Sequence, residues 1–202
     1  MARKSVTDRS LRAIKTRKKL FLSAAKLIDR YGYDNVTVEK ICQKAGVSVG
    51  AFYHYYSSKT DIIVEFFKQI DYYYEERVEP ELSGDAAADI ETFFFHYAKF
   101  HVDQGYDHTS MMVKIQSDFF LDKTRYMHVK LIELVENAKA DNVFDKEADA
   151  ALIADYLLVV ARGLLFDWSL ARGEHDLIEK MKAYIKLAIL SFKPSFYFTS
   201  RV

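Results

Sequence analysis

The chain has 202 residues, half of them apolar, with two prolines, seven glycines and one cysteine. That content supplies a core without staples, argues against a turn-rich β fold, excludes an internal disulfide and fits a reducing cytoplasm. Formal net charge is zero, yet residues 1–60 hold 13 Lys/Arg against 4 Asp/Glu and residues 61–202 hold 16 against 25, balances of +9 and −9.

Such asymmetry predicts a basic nucleic-acid module, residues 1–60, joined to an acidic body, residues 61–202. No N-terminal apolar run has the form of a signal peptide, and no stretch of 18 apolar residues is present to span a membrane. A cytoplasmic protein with no membrane partner is expected.

Residues 1–10 form a basic arm with Arg3, Lys4 and Arg9, suited to a minor groove or to phosphates, or else an idle terminus. Leu11 to Tyr31 reads as a first helix. Leu20, Ala24, Leu27, Ile28 and Tyr31 recur at three and four, and Arg12, Lys15, Arg17, Lys18 and Lys19 crowd its front half. Gly32 ends it.

Thr37 then precedes Val38, Ile41, Cys42 and Ala45, a short apolar-periodic run whose start a threonine hydroxyl can cap. Gly46 suits the left-handed conformation that closes a helix. Val47 can fill the corner, and Ser48 can cap a second helix, Val49 to Tyr56. Two short helices joined by a glycine turn are the pattern of a helix-turn-helix, whose second helix enters the DNA major groove. Phe52 and Tyr56, four apart, share the face that holds this helix down. Val49, Gly50, Ala51, Tyr53, His54 and Tyr55 are left outside. Small Gly50 and Ala51 permit close approach, Val49 or Ala51 can touch a thymine methyl, and His54 can bond a base edge. Tyr53, Tyr55 and Lys59 suit phosphates.

The segment AGVSVGAFYHYYSSKTDI resembles the DNA-binding signature of TetR-family transcriptional regulators, Ala-Gly-Val-Ser-x-Gly-Thr-Leu-Tyr-x-His-Phe-x-Ser-Lys-x-x-Leu. Ala45, Gly46, Val47, Ser48, Gly50, Tyr53, Ser58 and Lys59 fall in register, and the resemblance extends back over Arg17, Ala24, Ala25, Gly32, Thr37 and Ile41. Ala51, Tyr55 and Tyr56 depart from the usual Thr, His and Phe. The resemblance implies an all-α chain of about nine helices: a three-helix DNA-binding domain, then a helical ligand-binding and dimerisation domain. It adds Arg17, Lys18, Thr37 and Ser48 to the expected DNA contacts.

The next helix, from Ser57 or Ser58 to about Glu79, carries Ile62, Ile63, Phe66, Phe67, Ile70, Tyr73 and Tyr74. In the family this helix is the lever joining the two domains. Pro80 and the Ser83-Gly84-Asp85 run break the chain. Ala86 to Gly105 carries Phe93, Phe94, Phe95, Tyr97 and Phe100 around most of its circumference, so it is expected to be surrounded. Those aromatics are core or pocket wall, and the family's ligand cavity brings Phe94, Tyr97 and His101 into the pocket list. Gly105 to Thr109 reads as a loop, with Thr109 capping a short helix on which Met112, Gln116 and Phe119 share a face. Trp168 completes the ligand-site candidates. Helices are further expected from Lys123 to Lys139, Lys146 to Ala171 and Glu174 to Phe192, with Gly163 inside the third and the aromatic tail Phe196-Tyr197-Phe198 after the last. The family pairs its last two long helices with a second subunit.

No phosphate-binding glycine loop, Gly-x-Ser-x-Gly elbow or His-Glu-x-x-His occurs, and His96 and His101 are five apart, a poor spacing for one helix face. A metal at His96, His101, Asp103 or His108 is therefore not expected, nor is a cofactor or an enzymatic role. The reading is a ligand-responsive repressor: a homodimer on a palindromic operator, released by a small, largely apolar or aromatic effector. With few cations among the pocket candidates, a polyanion is disfavoured. The alternative is a DNA-bound scaffold whose body meets a protein partner.

Overall fold

A computed structural model describes residues 8–106, 109–110 and 121–194. Among them the chain is helical throughout, without a strand, and it forms two compact units, Met1–Gln69 and Ile70–Val202. Met112, Gln116, Phe119, His108 and the aromatic tail lie outside the described residues.

The first unit contains α1 (Asp8–Tyr31), a 3-10 turn at Tyr33–Asn35, α2 (Val38–Ala45), α3 (Val49–Tyr55) and α4 (Lys59–Phe67). α1 packs on both α2 and α4, and α2 packs on α3. The predicted stripe is the core: Leu20, Ala24, Leu27 and Ile28 are buried with Val36, Ile41, Cys42, Phe52, Tyr56 and Ile62. Tyr31, placed on that stripe from its spacing, is instead half exposed beside Arg30 at the frayed end of α1. Gly32 takes φ 74°, and its N–H closes on the Ile28 carbonyl at 2.8 Å.

The second unit contains α5 (Gln69–Tyr73, beginning one residue before the division), a π turn at Tyr74–Val78, a 3-10 turn at Glu79–Glu81, α6 (Ala86–Gln104), α7 (Tyr126–Ala140), α8 (Ala150–Leu170) and α9 (Leu177–Leu190). The expected lever is thus not one regular helix. Lys68 interrupts it, and the backbone widens to a π turn before Pro80 enters the 3-10 turn. α6, α7, α8 and α9 close a ring in which each touches two neighbours. Its centre is Ile90, Phe93 and Phe94 with Leu131, Val135, Leu157, Leu165, Met181 and Ile185.

Aspartates set three of these starts. Asp85 accepts from Ala88 N, Asp149 from Ala151 N and Leu152 N, and Asp176 from Ile178 N and Glu179 N. α8 and α9 therefore begin later than the apolar pattern predicts, because an Asp side chain satisfies the otherwise unpaired N–H groups there. Thr109 ties back to α6, and the segment after Ser110 in which a capped helix is expected lies outside the described residues. The Thr109 N–H bonds to the Gly105 carbonyl, and the Thr109 hydroxyl donates to the His101 carbonyl at 3.3 Å and lies 3.2 Å from His101 Nδ1.

His101 is enclosed by this contact, and burial pushes its pKa down to about 3. An unfolded histidine titrates near ~6.5, so between those values the unfolded chain binds the extra proton. Stability is then complete above ~6.5 and falls as the pH drops toward 3. His101→Gln keeps polar atoms in place without titrating. Its melting temperature should fall less steeply than the parent's between pH 6.5 and 4, as thermal melts across that range will report.

Candidate functional site

The turn between α2 and α3 is built from local chemistry. Thr37 Oγ1 accepts from Lys40 N at 3.3 Å, and Ser48 Oγ from Ala51 N at 3.1 Å. Gly46 is left-handed, φ 67° and ψ 40°, and the Val47 N–H returns to the Cys42 carbonyl at 3.1 Å. These are the cap and closing bonds expected of a helix-turn-helix corner. A seven-residue helix such as α3 does not persist alone in water. Phe52, fully buried, and Tyr56 hold it, their rings 5.6 Å apart.

What remains faces outward. Val49, Gly50, Tyr53 and His54 are exposed, and Ala51 and Tyr55 are half-buried at the edges. A Cβ built on Gly50 meets only the Ser48 hydroxyl at 4.0 Å. Nothing inside the chain requires glycine there, although glycine costs about 1 kcal/mol against alanine in a helix. Thr37 and Ser48 are exposed but occupied as caps.

Three predicted cations differ in their freedom. Lys18 is exposed. Arg17 donates to Glu65 at 2.5 Å, and its guanidinium carbon lies 5.5 Å from the Tyr56 ring centre. Its pKa is raised, chiefly by the neighbouring Tyr56 side chain and further by Glu65. Lys59 is turned into its own unit: Nζ donates to the carbonyls of Tyr33 and Val36, both at 2.9 Å, and lies 3.9 Å from the Tyr33 ring centre. Burial lowers its pKa, with Asp34 opposing. Lys59 thus clamps the turn that precedes α2. Sequence spacing alone gave it only a phosphate.

In the second unit α6 brings three ligand candidates together. Phe94, Tyr97 and His101 form a buried ladder, with ring centres 6.4 and 5.1 Å apart. Trp168 is placed elsewhere: its Nε1 donates to the His175 carbonyl at 3.0 Å, with Tyr106 as its ring neighbour at 6.3 Å. Phe95 points outward, so α6 is not surrounded on every side. His96 is held by neighbours within its own unit. Its Nδ1 lies 2.7 Å from the Tyr73 hydroxyl and its Nε2 2.9 Å from Glu81. A surface groove of about 680 Å³ runs between Ala87, Asn142, Ile189 and Lys193, and none of the ligand candidates line it.

A charged group absent from the sequence reading gathers on facing sides of α7 and α8. Arg125 holds Asp71 with Nε at 2.9 Å and Nη2 at 3.2 Å. Lys123 bonds Asp155, and His128 Nε2, buried without a hydrogen-bond partner, stands 3.7 Å from the same carboxylate. Burial lowers the His128 pKa; Asp155 opposes, and Lys123, Arg162 and Arg125 add to the effect. Arg162 and Arg125 also act on the buried Tyr97 hydroxyl, which burial raises. No periodicity marks such a group, because its members come from four separate segments.

An exposed, capped second helix after a left-handed glycine corner, on a basic three-helix unit, defines a DNA-binding protein of the helix-turn-helix class. Residues 20–66 match the model of the bacterial regulatory proteins of the tetR family. That match falls within the first unit, from α1 into α4. The chain is 35% identical over 66 residues to the fatty acid metabolism regulator protein of Bacillus subtilis (strain 168), a match spanning 33% of this chain and 34% of that relative. Its fold is similar to that of the transcriptional regulator FadR from Bacillus subtilis in complex with stearoyl-CoA, at TM-score 0.65 and 16% identity over 85% of this chain and 97% of that one. Thermus thermophilus FadR, a repressor in complex with lauroyl-CoA, superposes at TM-score 0.67 and 18% identity over 92% and 97%.

Lys59→Met removes two charge-assisted bonds to half-buried carbonyls. It should destabilise the protein by about 1–3 kcal/mol, with hydrogen exchange rising first around residues 33–37. Denaturant melts with exchange mass spectrometry check both.

Proposed function

We propose that the chain is a repressor that binds a palindromic operator as a homodimer and is released by an acyl thioester of coenzyme A. The outward face of α3 carries the DNA half of this reading. Val49, Gly50, Tyr53 and His54 stand clear of the fold, and the glycine among them has no internal role. Val49, Ala51 and His54 are the base readers. Tyr53, Tyr55 and Lys18 take phosphates, with Arg17 and Lys59 supplying field from positions they already hold.

Two proteins of the same fold, FadR from Bacillus subtilis and from Thermus thermophilus, hold stearoyl-CoA and lauroyl-CoA, and the curated match is named a fatty acid metabolism regulator protein. That chemistry suits the second unit. An acyl chain needs an apolar lining such as Phe94 and Tyr97. Its anionic head needs cations, and Lys123 and Arg125, just before α7, with Arg162 on α8, supply them. None of these cations is among the ligand candidates named from the sequence, on which a polyanion was disfavoured.

Dimerisation through α8 and α9 rests on an uncovered face. Leu152, Tyr156, Val159, Phe166 and Leu170 are exposed along α8 at spacings of four, three, seven and four, and Tyr184, Leu187 and Leu190 are exposed on α9. Gly163 falls in the same stripe, and no atom lies within 4 Å of a Cβ built there. A glycine costly to its own helix is accounted for by a second helix approaching closely. Two reading helices one DNA turn apart need a twofold pair.

The test is selection of bound fragments from the host's genomic DNA, followed by footprinting with and without stearoyl-CoA. Palindromic sites beside promoters, vacated on adding the ligand, are expected; diffuse, salt-sensitive binding that ignores the ligand rejects the reading. Phe166→Glu, placing a charge in the stripe, should give a folded monomer by light scattering. A persistent dimer would move the interface off α8.

A further inference from the structure

Asp71 and Arg125 are 54 residues apart, and their side chains are 19% and 10% exposed. Among the described ion pairs theirs is the only arginine–carboxylate fork, and Asp71 Oδ1 also accepts from Met127 N at 3.3 Å. A fork of this kind is strong and directional where a surface pair is weak.

Its position gives it a consequence. Asp71 is the second residue of the second unit, and α5 leads back through Lys68 alone into α4. Arg125 flanks the start of α7, beside Arg162 and His128. The tie between α5 and α7 thus sits where the chain leaves for the reading unit, at the edge of the cationic group. A second tie is exposed and monodentate: Glu79 accepts from the Tyr126 hydroxyl at 2.5 Å and from Lys130 at 3.1 Å.

We propose that Asp71 and the anionic head of the ligand compete for Arg125, so that this arginine reports occupancy of the second unit to α5. This rests on the acyl-thioester reading above. In the free protein Arg125 serves Asp71, and α5 is latched to α7. An arriving phosphate offers the guanidinium a stronger bidentate partner. Asp71 then keeps only the Met127 N–H and solvent, α5 loses its tie, and the change passes along the chain through Lys68 into α4. The latched state favours the operator and the released state favours the ligand, which is the differential affinity a switch requires.

The competition has a signature that a merely structural pair lacks. Asp71→Asn removes the competitor and leaves Arg125 in place. Ligand affinity should therefore rise about fivefold, operator affinity without ligand should fall, and the ligand-induced change in operator affinity should shrink about tenfold. Arg125→Lys loses the fork for both partners, so ligand affinity should fall instead, about tenfold. The measurements are calorimetry with stearoyl-CoA and anisotropy on the selected operator fragment, on the full chain, with melting temperatures alongside. Opposite shifts in ligand affinity from the two variants support the latch. An Asp71→Asn protein with parental or weakened ligand affinity overturns it, while a responsive parent keeps the acyl-thioester reading standing. A parent that ignores stearoyl-CoA removes that reading, and the latch with it.

Discussion

α3 is too short to be a helix by its own propensity, so the DNA-reading surface depends on burial of two rings. Phe52 and Tyr56 fix the helix from beneath, and Ser48 and Gly46 fix where it starts and how the chain arrives. A fully buried aromatic is worth a few kcal/mol of transfer free energy, which exceeds the cost of a short helix with a mid-sequence glycine. Because that burial all comes from one side, the opposite side is free to carry Gly50, Tyr53 and His54. The separation of duties between faces leaves the outward residues, the base readers of the proposed function, variable without loosening the fold.

Lys59 and Arg17 extend the same economy. Each is a cation beside the reading helix, and each is already held: one by two carbonyls, the other by Glu65 with the Tyr56 ring beside it. A positive charge held in place contributes to the field over the unit without ordering a free side chain when DNA arrives. The basic excess of the first 60 residues therefore does two kinds of work, holding the unit together and shaping its potential.

What the sequence revealed was local. The corner of Thr37, Gly46 and Ser48, the split of α3 into two faces, and the stripe of α1 all follow from spacing within a few residues, and the structure has them. Helix starts at Asp149 and Asp176 were missed because apolar periodicity runs past a cap into the preceding turn. The lever's break at Lys68 carries no proline or glycine to announce it. Asp71–Arg125 and the cations around it were invisible for a deeper reason: a pair 54 residues apart leaves no periodic trace, and the cluster exists only once α7 faces α8.

On the acyl-thioester proposal, charge placement reconciles an apolar core with an anionic ligand. In the ladder of Phe94, Tyr97 and His101, burial drives the histidine pKa to about 3 and so keeps that ring neutral. Lys123 and Arg125, just before α7, pair with Asp155 and Asp71, and Arg125 and Arg162 act on the Tyr97 hydroxyl at the ladder's edge. On that proposal one ligand meets both chemistries, and the balancing carboxylates are the groups that give way. A switch driven by a hundredfold preference has about 2.7 kcal/mol at its disposal. One exchanged fork lies within that range, whereas dismantling the aromatic core around Phe93 and Phe94 does not. The lower cost of changing partners at an ion pair is the physical reason to look for the transmission there.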